Sequence, residues 1–263
     1  MAKVRIDALL VERGVFPSRA RASAAVMAGE VLLGPGRMAA DKPGQLVAPE
    51  IDVAVRGGRQ YVSRGGDKLA SALDLLGIDP AGQRWLDVGA STGGFTDCLL
   101  QRGAEALICV DVGYNQLAWS LRDDPRVTVM ERVNARELDP ASLPFAARGV
   151  VADVSFISLT KVLPAIVRCI DDPCDLLLMV KPQFEVGPKL VGKNGVVREP
   201  ELRRDAVVAV AAAGVALGLQ VAGVAPAGLH GPKGNRETFL HLVEAGRPGS
   251  SAELSAEQLE LIA

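Results

Sequence analysis

The segment from Trp85 to Phe95, Trp-Leu-Asp-Val-Gly-Ala-Ser-Thr-Gly-Gly-Phe, constrains this chain more than any other. Its apolar start reads as a buried strand, Gly89 to Gly94 as a glycine-rich turn, and Phe95 as the opening of a helix. Glycines let a backbone approach a ligand closely, and a helix N-terminus offers free N–H groups. The spacing is neither G-x-G-x-x-G nor a Walker loop, since no Gly-Lys-Ser/Thr follows. Nothing in the turn is built for phosphate, and Asp87 at its opening suits a cationic or amino-acid-like ligand. About 20 residues on, the next strand ends in Val110-Asp111, where a carboxylate can take the ribose hydroxyls of a nucleoside. A tight strand-to-helix turn without any ligand is the alternative that this stretch alone leaves open.

The sequence around that turn alternates. Helical patterning over 67–77 is followed by a strand at 84–88, a helix at 95–102 and strands at 106–110, 127–130 and 150–152. A helix near 159–170, a strand at 176–180, a helix near 200–217, a strand at 221–224 and a last strand near 238–243 continue the series. Such alternation predicts an α/β domain with a parallel sheet covered by helices on both faces. Ala206 to Ala225 is almost wholly apolar and long enough to span a bilayer. It is Ala/Gly-rich and broken by Gly214, Gly218 and Gly223, so a helix ending near Gly218 followed by a buried strand fits it better. The N-terminus lacks the features of a signal peptide, and a cytoplasmic protein is expected.

The 263 residues are 49% hydrophobic and 23% charged, which excludes disorder and collagen-like repeats. Cys98, Cys109, Cys169 and Cys174 sit in or beside apolar runs with no Cys-x-x-Cys spacing, so reduced, buried thiols are expected rather than disulfides. Two histidines without a Cys/His cluster give no metal signature, and no metal is expected. Charge is uneven: residues 1–68 carry a net +4 and the remainder −6, within a total of −2. A basic head on an acidic body suggests a polyanion-facing module.

Residues 1–58 read as that module. Ile6, Leu9 and Leu10 recur at helical spacing before Gly14, Ser18 caps a second helix carrying Arg19 and Arg21, and Gly29 ends it. Short strands follow at Val31-Leu32-Leu33 and Ile51 to Val55. Arg5-Ile-Asp-Ala-Leu-Leu, Gly14, Ser18-Arg19, Ala22 and Gly29-Glu30-Val31 resemble the RNA-binding domain first described in ribosomal protein S-four. That resemblance implies basic side chains on the phosphate backbone, which position a module without reading sequence; a solvated, charged helix pair is the plain alternative. The Gly-rich, basic stretch 56–66 reads as a hinge, with 59–63 as the linker proper and Tyr61 packing at the junction. The second domain runs from 64 to 245, and 246–263 forms a tail with a short helix capped at Ser255.

Four polar residues then fall where buried strands should not need them. Lys68 lies in Arg64-Gly-Gly-Asp-Lys-Leu, Asp153 begins Asp-Val-Ser-Phe-Ile-Ser158, Lys181 begins Lys-Pro-Gln-Phe-Glu185, and Glu237 lies in Gly234-Asn-Arg-Glu-Thr-Phe. Open α/β sheets bind ligands at the carboxyl ends of their strands, which puts Asp153 and Lys181 on the correct edge. Taken singly, each is as readily a solvated loop residue. Together they resemble, in the same chain order, the Lys-Asp-Lys-Glu tetrad of FtsJ-type ribose 2′-O-methyltransferases. The S-four-type head, this tetrad, Ser91-Thr-Gly-Gly-Phe95 and Asp111-Val-Gly-Tyr-Asn-Gln-Leu-Ala-Trp119 together resemble the TlyA family over residues 3–243. That family is known both as ribosomal RNA cytidine 2′-O-methyltransferase and as hemolysin. The family's linker often has Trp where this chain has Tyr61.

The resemblance implies a Rossmann-like class I methyltransferase domain that uses S-adenosyl-L-methionine on a cytidine ribose of 16S and/or 23S ribosomal RNA. The cofactor would be held by Asp87, Gly89, Ala90, Ser91, Thr92, Gly93, Gly94, Phe95, Asp111, Asn134 and Asp153. Lys68, Asp153, Lys181 and Glu237 would be catalytic, with Lys181 the base for a hydroxyl that is a poor nucleophile at neutral pH. Lys3, Arg5, Arg19, Arg21, Lys42, Arg59, Arg64, Lys189 and Lys193 would contact RNA or ribosomal subunits, and a monomer is expected. The long stretch 182–199 reads as a mobile flap over the RNA. Two other readings stand beside this one: a membrane-active hemolysin, which a missing amphipathic cationic helix disfavours, and a non-catalytic RNA-binding protein.

Overall fold

Why the chain folds in two pieces is visible in where its apolar residues gather. A computed structural model describes residues 3–16, 18–55, 60–231 and 233–262, and it divides into compact units Met1–Gln60 and Tyr61–Ala263. In the first unit, β1 (Val4–Arg5) leads into α1 (Ile6–Glu12), and α2 (Arg19–Met27) is capped by the Ser18 side chain, which accepts from the Arg21 N–H. Strands β2 (Val31–Leu33), β3 (Met38–Ala39), β4 (Leu46–Val47) and β5 (Val53–Val55) follow. β1 pairs with β4, and β2 lies between β3 and β5, all antiparallel. Ile6, Leu9 and Leu10 of α1 meet Ala22, Ala25 and Val26 of α2 in one small core, the outcome of i, i+3, i+4 spacing on both helices.

The second unit begins earlier than the hinge reading expected. Residues 64–66 are the first turn of α3 (Arg64–Leu76), capped by Ser63, rather than part of a flexible linker. Position 66 in this helix is glycine because the Tyr61 ring lies against it: a Cβ there would stand 2.2 Å from the ring. Arg59 lies outside the described residues. After α3 come β6 (Arg84–Val88), α4 (Gly94–Gln101), β7 (Ala106–Asp111), α5 (Trp119–Arg122), β8 (Val127–Glu131) and β9 (Ala147–Ala152). α6 (Leu159–Val167), β10 (Ile170–Val180), α7 (Pro182–Glu185), α8 (Pro200–Val215), β11 (Leu219–Pro226), β12 (Thr238–Glu244) and α9 (Ala256–Leu261) complete the chain. The Ala-rich run is thus split between α8 and β11, with Gly218 at φ 91° between them.

Among the described residues these strands form a seven-stranded sheet in the order β11-β12-β10-β9-β6-β7-β8. It is not wholly parallel as expected. β12 runs antiparallel to both β10 and β11, because the described residues between 227 and 237 form no crossover helix, and parallel strands need one. Strand alternation sorts the core into two layers. Leu86, Val88, Ile108, Val110, Val150 and Leu178 face α6 and α8, whereas Trp85, Leu107, Val151, Leu177 and Phe239 face α3 and α4. Each fully buried Leu or Val stabilises the fold by about 1.5–3 kcal/mol. Gly149 in β9 makes room for Trp85, whose indole would lie 2.2 Å from any Cβ.

Two further readings change. The segment 182–199 is built rather than loose: α7 opens it, Lys193–Gly195 form a single tight turn, and Val197 is 1% exposed. The tail 246–263 belongs to this unit, since Ser251 bridges Val221 of β11 and Arg204 of α8 donates to the Leu259 carbonyl.

Candidate active site

Strand order brings the chemistry to one edge. Asp153 follows the last residue of β9, and Lys181 the last residue of β10. Because β12 is reversed, Glu237 precedes it at the same edge, with Thr238 opposite Val180. Lys68 reaches this edge from α3, on the face that also buries Leu69, Ala72 and Leu73. The four residues form two ion pairs. Lys68 pairs with Glu237, both side chains at most 8% exposed, and Lys181 Nζ lies 2.5 Å from Asp153 Oδ1. Lys181 Nζ also donates to Ser155 Oγ at 2.8 Å and lies 6.0 Å from the Phe184 ring centre.

The glycine turn adjoins the second pair. Gly89 has φ 86°, and a Cβ on it would stand 2.5 Å from the Asp153 carbonyl oxygen. Ser91 adopts φ 47° and Gly93 φ 93°, so the chain folds back before α4. Asp111 Oδ2 accepts from the Ser91 N–H at 2.8 Å and Oδ1 from the Gly113 N–H at 2.6 Å, tying the ends of β6 and β7 together. Each carboxylate oxygen keeps a second lone pair for a ligand hydroxyl. Thr92, like Ser91, is exposed, while Ala90 is buried.

Two of the residues assigned to the cofactor are placed differently from the expectation. Asp87 does not open onto solvent: it is fully buried, and its Oδ2 accepts from the Thr96 N–H at 3.1 Å and hydroxyl at 2.7 Å. Burial pushes its carboxyl up to about 7; the negative charges of Asp153 and Asp111 add to this, and the Thr96 hydrogen bonds oppose it. Its Oδ1 is buried without a partner. Phe95 is 4% exposed with its ring 5.7 Å from that of Phe239, in the core. Asn134 caps a short 3₁₀ turn, accepting from the Arg136 N–H and donating to Glu137.

Several neighbours escaped the sequence reading. Ser155 holds Lys181, and Glu185 joins the two motifs that flank it, accepting from Ser158 Oγ at 2.5 Å and the Leu159 N–H at 2.9 Å. Phe156 is 92% exposed at φ 65°, with its ring 5.3 Å from that of Phe184. Such a backbone costs a bulky residue about 1–3 kcal/mol and is found where geometry is held for use. These residues lie within the segments 153–158 and 181–185, but only tertiary contact distinguishes them from loop residues.

The basic residues divide. Arg5 and Arg19 both bind Asp7, whose carboxyl is held well below the usual range by the Arg5 hydrogen bonds and then by Arg19. Lys3, Arg21, Lys42, Arg64, Lys189 and Lys193 are exposed. Asp172, Cys174 and Glu244 bring three potential metal ligands within 4.8 Å of one another, at the other end of β10. Glu244 there already accepts from the Cys174 N–H and from Arg247.

A parallel sheet with one reversed strand, a glycine turn at the end of its central strand and a lysine–carboxylate pair beside that turn define a class I methyltransferase fold. The FtsJ-like methyltransferase family matches residues 61–243. The chain is 48% identical over 260 residues to 16S/23S rRNA (cytidine-2′-O)-methyltransferase TlyA of Mycobacterium tuberculosis, covering 98% of this chain and 95% of that protein. It is 34% identical to Hemolysin A of Brachyspira hyodysenteriae, covering 91% of this chain and all of that one. A solved structure from Streptococcus thermophilus that bears the hemolysin name aligns with a TM-score of 0.75 and 38% identity, over 100% of this chain and 95% of its own. The chain belongs to the FtsJ-like methyltransferases and, within them, to the TlyA family.

Proposed function

We propose that this methyltransferase acts on the 2′-hydroxyl of a cytidine in ribosomal RNA, with S-adenosyl-L-methionine as methyl donor, as a cytoplasmic monomer. The observation that carries the reading is the gathering of Lys68, Asp153, Lys181 and Glu237 at the edge where the Gly89 turn ends. The turn fits the donor: only glycine can occupy position 89 beside the Asp153 carbonyl, and Asp111 presents a carboxylate one strand away. Gly89, Ser91 and Gly93 would line the donor, with Asp111 at its ribose. Asp87 would act behind them, holding the start of α4 through Thr96.

When bound, the donor supplies an electrophilic methyl on a positively charged sulfur. Lys181 would take the proton of the ribose hydroxyl while the hydroxyl oxygen bonds to the methyl carbon and the carbon–sulfur bond breaks, its electron pair staying on sulfur. Asp153 and Ser155 fix the position of the Lys181 Nζ. The Lys68–Glu237 pair walls the same edge, and alignment of hydroxyl and methyl supplies much of the acceleration. Phe156 presents an exposed apolar ring beside the base. Lys189, Lys193 and Arg64 offer charge to RNA phosphates, as do Arg21, Lys3 and Lys42 on the first unit. Among the described residues no helix is long and apolar enough to cross a membrane.

The test is transfer of labelled methyl to unmodified ribosomal RNA, isolated subunits and whole ribosomes, mapped by a readout sensitive to 2′-O-methylation. Label on a cytidine ribose is expected. No label on any of them, with donor binding shown separately, overturns the reading.

A further inference from the structure

We propose that Asn235 is a positioning residue that couples the basic segment 187–199 to Glu237. The inference rests on the reading of Glu237 and Lys68 as part of the catalytic set. Asn235 lies on the connection between β11 and β12, two residues before Glu237, and is 2% exposed. Its Nδ2 donates to the Gly195 carbonyl at 2.7 Å, and its Oδ1 accepts from the Val197 N–H at 2.9 Å. One carboxamide thus satisfies two main-chain groups of a segment 38 to 40 residues away. Val197 is itself buried, so without Asn235 its N–H loses its partner in a place water reaches poorly.

The segment that Asn235 holds is a closed turn. The Gly192 N–H donates to the Val196 carbonyl and the Gly195 N–H to the Gly192 carbonyl, while Asn194 and Gly195 take φ of 66° and 79°. Lys193 stands exposed on that turn. On the other side, Asn235 belongs to the unit that fixes Glu237. Its carbonyl accepts from the Gly231 N–H at 2.9 Å, and the Glu237 carbonyl accepts from Ala227 at 3.0 Å. Gly231 packs so closely that a Cβ on it would stand 2.6 Å from Glu237 Oε1. A movement of the Lys193 turn therefore pulls on Asn235 and, through two residues of chain, on the carboxylate that holds Lys68. RNA gripped by Lys193 then sets the geometry of the Lys68–Glu237 pair.

Asn235→Ala is expected to lower kcat on ribosomal RNA on the order of 10- to 100-fold, with donor affinity unchanged. The coupling has its own signature. In the native background Lys193→Ala lowers kcat as well as raising KM, whereas in the Asn235→Ala background it alters KM alone. Asn235→Asp loses the donor and sets a carboxylate oxygen against the Gly195 carbonyl, so it is expected to lower kcat at least as far as Asn235→Ala, whereas the uncharged Asn235→Ser serves if the alanine variant does not fold. Native kcat in Asn235→Ala and Asn235→Asp, or additive kcat losses with Lys193→Ala, overturns the proposal. Lys181→Ala and Glu237→Gln are run alongside: if these turn over normally, the catalytic reading itself has failed, and if they alone are inactive, only the coupling has.

Discussion

Lys68 and Glu237 lie 169 residues apart in sequence and form an ion pair buried against α3. Removing one partner of a buried pair leaves an uncompensated charge and costs about 3–5 kcal/mol, whereas replacing both with apolar groups is near neutral. Lys68→Met and Glu237→Leu should each lower stability to denaturant by that amount. The double variant should recover most of it and still transfer no methyl. Recovery of activity in the double variant would remove the pair from the chemistry.

Lys181→Ala should reduce methyl transfer by about 10²–10⁴-fold, the usual range for loss of a general base. Donor affinity by calorimetry should stay within a factor of a few, because Asp153 and Ser155 remain. Retained turnover would reassign the proton acceptor.

Gly89→Ala meets a backbone atom at 2.5 Å as well as an unfavourable φ, whereas Gly77→Ala meets only the φ, with nothing within 4 Å of its Cβ. Gly77→Ala should cost about 1 kcal/mol. Gly89→Ala should cost about 1–3 kcal/mol more through displacement of the Asp153 main chain and should weaken donor binding. Thermal unfolding of the two variants gives the comparison directly.

Asp87 gives stability a pH dependence of definite sign. Its ordinary value is 3.8 and its folded value about 7, so between the two the folded chain binds more protons than the unfolded one. Stability should therefore fall as pH rises through that window. Asp87→Asn should flatten the slope, since an amide can still accept from Thr96 and carries no charge. Glu244 works in the opposite direction in a separate window: hydrogen bonds from Arg247 hold its carboxyl near 2, so the stability it adds is lost only as pH falls below about 4.5 toward 2. Denaturation midpoints measured from pH 2 to pH 8 separate the two.

Arg21 is exposed on α2, while Arg19 beside it is engaged by Asp7. Arg21→Ala should weaken RNA binding uniformly across sequences and reduce the slope of log affinity against log salt by about 1. A change confined to one RNA sequence would show that Arg21 reads bases.

Much of the second unit was legible because its signals are local. β6 begins and ends at the residues read from Arg84-Trp-Leu-Asp-Val88, and the capped helix at Ser255 is present with its full capping box. Asp153 and Lys181 were legible because a polar residue ending an apolar strand is marked in one dimension. The direction of β12 was not, since a strand pattern carries no sign and only the lack of a crossover helix among the described residues between 227 and 237 betrays it. Asp87 differs for a related reason: alternation along β6 turns it inward with Trp85, toward Thr96 of α4, and how that helix packs on the strand is a tertiary contact that no one-dimensional pattern shows. Asn235 was invisible, because its partners lie in a loop whose conformation no periodicity describes.

The insertion of β12 between β10 and β11 also sets an order of events during synthesis. Chains emerge N-terminal end first, at about 5–20 residues per second. A nascent chain that has delivered the glycine turn, Asp153 and Lys181 still lacks the strand that separates β10 from β11 in the finished sheet, and Lys68 has no counter-charge. The edge that carries the chemistry closes only after residue 244 has left the ribosome, so a chain truncated before residue 237 lacks Glu237 and cannot assemble the site, however complete its glycine turn.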